Sequence, residues 1–303
     1  MTQTILILGA NGKFGKACAG AFAADGWNVR LFDRKSQNMT NAAIGADVIF
    51  NGLNPPAYHN WAQIIPEITK QVIAAAKASG ATIILPGNVY PFGHQPGIWD
   101  ENTAHKPNSR KGEIRKQMEA AYRTAALEGV QTINLRAGDI IDPDATDTVF
   151  QMVMLKALAK GKLTLLGRAD ARHAWCFTPD FARAAVGLAN MRDTLAAYED
   201  IPLPGQNFTG EELRRTLHQI TGRPVKITQF AWWQLRLLSP FWELARELQE
   251  MRYLWDLPHE LSGQKLNALL PGFQMTPNSQ AILQALPRDI KPDQPVMAAH
   301  VTV

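Results

Sequence analysis

Gly9, Gly12 and Gly15 stand between an aliphatic run, Ile5-Leu6-Ile7-Leu8, and a helical pattern from Lys16 to Ala24. The run suits a buried parallel strand. Each glycine has a chemical use at this spacing. Gly9 permits the tight turn off the strand. Gly12 lacks a Cβ, so a pyrophosphate can approach the backbone. Gly15 lets the helix pack closely on the sheet, and the free N–H groups of that helix point at the phosphates. Strand, loop and helix come in the required order, with Asn11, Lys13 and Phe14 completing the loop, so the segment is expected to bind a dinucleotide.

Asp33 follows a second apolar strand, Val29-Arg30-Leu31-Phe32, about twenty residues beyond the glycines. An acid there can bind the adenosine ribose hydroxyls. Arg34 and Lys35 come next, and Arg34 could hold a 2′-phosphate bidentately. Asp33 argues for NAD and Arg34 for NADP, with NADP slightly favoured. The competing possibility is that Asp33 only caps a turn.

These residues need a scaffold. The chain has 303 residues, 46% apolar and 19% charged, with a net charge of +4. That is a globular composition, sufficient for one large domain or two ordinary ones. No basic run or basic–aromatic stripe suggests nucleic acid. No apolar run is long enough for a membrane span, and the first residues enter a strand without a leader pattern. Cys18 and Cys176 fit a reducing compartment and are expected to be packed thiols. A cytoplasmic protein is expected.

The first half alternates strands and helices. Strands are expected at 46–51, 81–85 and 132–135, and helices at Trp61–Ala78 and about Ser109–Glu128, with a Pro/Gly/Asn-rich loop from Pro86 to about Pro107. The link from the second strand to the third leaves room for only a turn or two of helix. This pattern predicts a doubly wound, Rossmann-like parallel α/β sheet. Residues 1–150 form the dinucleotide domain, completed by about 174–200. Residues 151–173 and 201–303 form a smaller, partly helical substrate-binding region. Phe150–Lys160 looks helical, and helices start at Thr178-Pro179-Asp180 and Gly210. The Trp-rich stretch Ala231–Trp255 carries mixed charges and a proline, so pocket wall or packed core is expected rather than a membrane surface.

Asn51, Gly52 and Leu53 end the third strand and are expected to face the cofactor. So are Pro86, Gly87 and Asn88 at the end of the fourth, where ligands meet an open α/β sheet. Ala137 and Gly138 are expected to flank the nicotinamide, and Tyr90 could donate its phenol proton. Arg168, Arg172 and His173 could meet an anionic substrate, but each is more readily a surface or structural residue. The histidines show no metal-ligand spacing, and no metal is expected.

The chain resembles the short-chain dehydrogenase/reductase superfamily in its extended or atypical branch, similar to NAD-dependent epimerases and dehydratases. The resemblance rests on the glycine loop, Val89-Tyr90, Leu135-Arg136-Ala137-Gly138-Asp139, His173 to Ala184, and Ser262-Gly263-Gln264-Lys265-Leu266. The family places Ser or Thr at the end of the fourth strand, where this chain has Pro86. It also carries Tyr-x-x-x-Lys followed by Glu. With Glu119 at the Glu position, Arg115 sits at the Lys position and Lys111 at the Tyr position. That resembles the isoflavone reductase branch, whose Lys-x-x-x-Arg supplies a catalytic lysine, so the resemblance makes Lys111 the proton carrier and a cofactor contact. Lys111 and Arg115 share a helix face, and repulsion from Arg115 would tune Lys111 toward neutrality. Arg115 would be the fixed cation, held by Glu119. The expected function is NAD(P)-dependent oxidation, reduction or epimerisation of a small carbonyl, sugar or aromatic metabolite. The alternative is an NmrA-like dinucleotide sensor that does not catalyse. Relatives suggest a homodimer through the helices at 61–78 and 109–128.

Overall fold

Alternation in the first strand decides the layers. In the computed structural model, which describes residues 2–291, strand β1 (Thr4–Leu8) sends Ile5 and Ile7 to one side and Leu6 and Leu8 to the other. All four are buried, as a central parallel strand requires. The chain continues through α1 (Lys13–Ala24), β2 (Asn28–Leu31), α2 (Met39–Ala43), β3 (Val48–Asn51), α3 (Trp61–Ser79), β4 (Thr82–Gly87), β5 (Gly97–Trp99), α4 (Arg110–Leu127) and β6 (Thr132–Arg136). Then come β7 (Asp139–Ile141), β8 (Lys162–Leu165), β9 (His173–Phe177), α5 (Thr178–Asn190), β10 (Tyr198–Pro202), β11 (Gln206–Phe208), α6 (Gly210–Thr221), β12 (Lys226–Gln229), α7 (Trp232–Leu238), α8 (Glu243–Glu250), β13 (His259–Leu261), α9 (Gln264–Leu269) and α10 (Asn278–Gln284).

Six strands form a parallel sheet in the order β2-β1-β3-β4-β6-β10. Helices α1 and α5 cover one face and α2, α3 and α4 the other. Winding reverses between β1 and β3, which opens a crevice at the carboxyl ends of those strands. The link from β2 to β3 carries only the five-residue α2, so β3 returns beside β1.

The second region hangs from the far end of the sheet. Strands β7, β9 and β11 pair in a small sheet, and β8 pairs with β12. Phe150, Trp175, Phe208, Leu213 and Trp232 form its core. A Thr209–Glu212 capping box starts α6.

Three expectations need correction. Phe150–Lys160 is not an α-helix: Phe150–Met154 forms a π turn and Leu158–Lys160 a 3₁₀ turn. Buried Gln151 donates to the Asp142 carbonyl at 2.6 Å, which ties this turn to the preceding loop, and Gly161 with φ +66° ends the segment. The Pro86–Pro107 loop contains β5, which pairs with the distant β13. The Trp-rich stretch is only half core. Trp232, Leu235 and Leu254 are buried, whereas Trp233, Leu237, Leu238, Phe241 and Trp242 are exposed. Helix α7 has only seven residues, and one of its sides meets the core.

Candidate active site

A cavity of about 810 Å³ opens at the crevice. Its floor is Asn11–Phe14 at the start of α1, Asn51–Leu53 after β3 and Leu85–Asn88 at the end of β4. Ala137, Gly138 and Asp139 close one side, and Tyr58, Trp61, Tyr90 and Arg115 form an aromatic and cationic wall. A segment from Asp142 to Val149 crosses the rim, where Lys13 pairs with Asp147 at 2.9 Å.

The glycine loop is built as its spacing anticipates. Gly9 has φ +76°, and its carbonyl accepts from Gly12 N at 2.9 Å. A Cβ on Gly15 would stand 2.2 Å from the Gly9 carbonyl oxygen. Gly9 and Gly15 thus lie beneath the cavity and shape it without lining it. The first helical bond runs from Lys16 N to the Gly12 carbonyl, leaving the N–H groups of Lys13, Phe14 and Gly15 outside the helix ladder. No side chain caps this end, and its first turn holds no acid. The residues present therefore fit a pyrophosphate.

Asp33 and Arg34 lie on an exposed turn beyond β2, outside the cavity. Asp33 accepts from Lys35 N at 3.0 Å and Ser36 Oγ at 2.7 Å, bonds that hold its carboxyl below the ordinary range. The turn-capping role is thus realised, with the carboxylate ionised.

On the wall, Tyr58 and Tyr90 share a hydroxyl–hydroxyl bond of 3.0 Å. Burial raises both phenols and the nearby Asp139 charge raises them further, whereas Arg115 opposes the rise. Both are therefore neutral donors at physiological pH. Ala57, Tyr58 and Asn60 all have positive φ (53°, 60° and 47°), a strained backbone that turns Tyr58 toward Tyr90. Arg115 lies 4.7 Å from the Trp61 ring centroid and donates to Asn54 Oδ1 at 2.7 Å. Its Nε is buried without a partner, and burial lowers its pKa. Asn88 shapes the turn by accepting from Tyr90 N at 3.1 Å, and Asn51 anchors to Tyr122 Oη at 3.1 Å.

Lys111 does not stand beside the cavity as a free amine. It is buried in a carboxylate clamp from α8, bonded to Glu250 Oε2 at 2.7 Å and paired with Glu247, while its backbone N–H donates to Glu250 Oε1 at 3.2 Å. The charged groups that contact its amine are these two acids and not Arg115. Nor does Glu119 hold Arg115. Its two oxygens accept from Arg136 at 3.1 and 2.9 Å, and Arg136 also binds Asp200, joining α4, β6 and β10. His105, Glu119 and Asp200 are the one cluster of three candidate metal ligands among the described residues, and its two acids are already engaged by Arg136.

Sequence reasoning missed Tyr58, which no motif marks, and the partner of Asp139. His173 Nε2 meets Asp139 Oδ2 at 2.7 Å, and the imidazole stacks on Trp255 with ring centroids 4.5 Å apart. Arg168 and Arg172 lie off the cavity, paired with Asp170 and Glu212. Cys18 and Cys176 are buried thiols whose pKa burial raises.

The winding order, the glycine turn and the cavity at the switch point define a Rossmann-like, doubly wound parallel α/β fold. Among solved structures, the chain is similar to MoeE5 in complex with UDP-glucuronic acid and NAD (TM-score 0.72, 13% identity, 94% of this chain and 97% of that one). It is also similar to UDP-glucuronic acid 4-epimerase from Bacillus cereus in complex with NAD (0.73, 15%, 94% and 95%). A third is UDP-glucose 4-epimerase from Brucella ovis in complex with NAD (0.71, 15%, 94% and 97%). No protein-family model and no curated relative matches the chain.

Proposed function

We propose that the chain is an NAD-dependent oxidoreductase or epimerase acting on a small hydroxyl- or carbonyl-bearing metabolite. The observation that carries this is the uncapped start of α1, free of acids and crowded against Gly9, opening on the cavity floor. The fold shared with NAD-bound epimerases supports it. NAD is preferred to NADP because the structural neighbours are NAD complexes.

When bound, the nicotinamide supplies the hydride acceptor or donor. The chain's own residues do the rest. Loop N–H groups hold the pyrophosphate, and Tyr90 offers its proton to a substrate oxygen while Tyr58 completes the hydroxyl chain. Arg115, short of acceptors in a dry wall, stabilises negative charge on that oxygen. Lys111 links α4 to α8 through Glu247 and Glu250 and takes no part in the proton transfer. A substrate phosphate or carboxylate, as in the sugar nucleotides of the neighbours, would suit Arg115. A homodimer through α3 and α4 belongs to the same proposal.

Calorimetric titration with NAD and NADP tests it. NAD is expected to bind more tightly than NADP. Gly15→Ala should abolish binding, because its Cβ would meet backbone. No uptake of either dinucleotide overturns the proposal. The clamped Lys111 and the missing strand-end hydroxyl also favour a second reading, a dinucleotide sensor. Tight NAD binding with no turnover across ketones, sugar nucleotides and aromatic ethers would select it.

A further inference from the structure

Five large apolar side chains are exposed within ten residues: Trp233 (63%), Leu237 (67%), Leu238 (47%), Phe241 (93%) and Trp242 (45%). Scattered exposed apolar residues are ordinary, but a contiguous set marks an interaction surface. The segment is pinned from its other side. Trp232 Nε1 donates to the Leu166 carbonyl at 2.5 Å, Gln249 Nε2 donates to the Trp232 carbonyl at 2.8 Å, and Leu235 is in the core. Ser239-Pro240 then turns Phe241 and Trp242 outward.

We propose that this tip docks on an anionic lipid surface. Mixed charge in the sequence argued against lipid, but the fold redistributes that charge. Glu247 and Glu250 turn inward to clamp Lys111, and Glu243 is bonded to His59 at 3.0 Å. Exposed Arg223, Lys226 and Arg236 remain on residues 222–246, with Arg236 inside the apolar set, while Arg246 pairs with Glu247 at 3.8 Å. Leu and Phe suit the acyl boundary, tryptophans suit the interfacial layer, and the cations suit anionic headgroups. A second copy of this chain fits less well. Five side chains fall far short of the roughly 20–30 residues a side of a stable protein interface. The contact is interfacial, since no described helix is long and apolar enough to cross a membrane. The His59–Glu243 bond joins the tip to the loop carrying Tyr58, so docking sets the cavity mouth beside lipid.

Co-sedimentation of the full chain with vesicles tests this. The protein is expected to pellet with phosphatidylglycerol/phosphatidylcholine vesicles, less with pure phosphatidylcholine, and less in high salt. Tryptophan emission should shift to the blue on binding. Leu237→Glu with Phe241→Glu should weaken vesicle binding about tenfold or more, with circular dichroism and NAD affinity unchanged. Arg236→Glu should weaken binding to anionic vesicles only. Absence of vesicle binding overturns the proposal, as does equal binding by the double variant. Sedimentation velocity showing self-association that the double variant abolishes, without lipid binding, assigns the face to a second copy and equally overturns it.

Discussion

The pair Tyr58–Tyr90 would carry the chemistry proposed for the cavity, and its protonation follows from burial. A phenol in a dry wall keeps its proton, and Asp139 reinforces this. Tyr90 can therefore serve as a donor across the physiological range, with activity falling only at alkaline pH, above the ordinary tyrosine range. Tyr90→Phe is expected to lower turnover about a hundredfold, the usual scale for removing a positioned proton donor. NAD affinity should stay within about threefold, because Tyr90 is not part of the glycine loop proposed to hold the phosphates. Steady-state kinetics alongside NAD titration separates these effects. Equal loss of both would mean that Tyr90 shapes the cavity and moves no proton. Tyr58 was invisible in the sequence for a physical reason: it reaches Tyr90 only through left-handed backbone at Ala57, Tyr58 and Asn60, and nothing in Pro-Ala-Tyr-His-Asn dictates that path.

Elements differ in how far their own residues determine them. The Gly9–Gly15 loop, α3, α4, α5 and α6 were legible because local periodicity and capping specify them. The β5–β13 pairing was not, since three residues at 97–99 find partners at 259–261, and no local pattern encodes so distant a match. The same limit misplaced Lys111. Its spacing to Arg115 was read correctly as one helix face, but its partners arrive from α8. The clamp joins α4 to the C-terminal region and takes one orphan N–H at the start of α4, that of Lys111, while Ser109 takes that of Gly112. Lys111→Ala leaves Glu247 and Glu250 with only the exposed Arg110 and Arg246 as cationic partners, at a cost of about 1–3 kcal/mol. Urea unfolding should show that loss, while turnover per folded molecule stays within about threefold. Adding Glu250→Gln should recover part of the stability. A collapse of turnover in a variant that remains folded would return Lys111 to the chemistry.

At the scale of the molecule, the layer joining the six-stranded sheet to the C-terminal region is expected to shape the response to acid. His259 sits in that layer, stacked on Trp99 with ring centroids 4.7 Å apart and edge-on to His173. Its Nδ1 meets the Leu257 carbonyl at 2.8 Å, and its Nε2 is buried without a partner. Burial, followed by the charge of His173, pulls its pKa from 6.5 down to about 3. An unfolded chain therefore takes up a proton near pH 6.5 that the native chain refuses until about pH 3. The stability held by this residue is complete above pH 6.5 and drains as pH falls through that window, by at most about 1.4 kcal/mol per pH unit. Burial lowers His105 as well and adds a smaller effect of the same sign. Urea midpoints measured across that window should decline steeply for the parent chain. His259→Phe keeps the stack on Trp99 and has no proton to accept, so its decline should be shallower. The two proteins should differ least at neutral pH, where the imidazole is already uncharged. Parallel declines would place the acid sensitivity in the carboxylates and free the interdomain layer of any part in it.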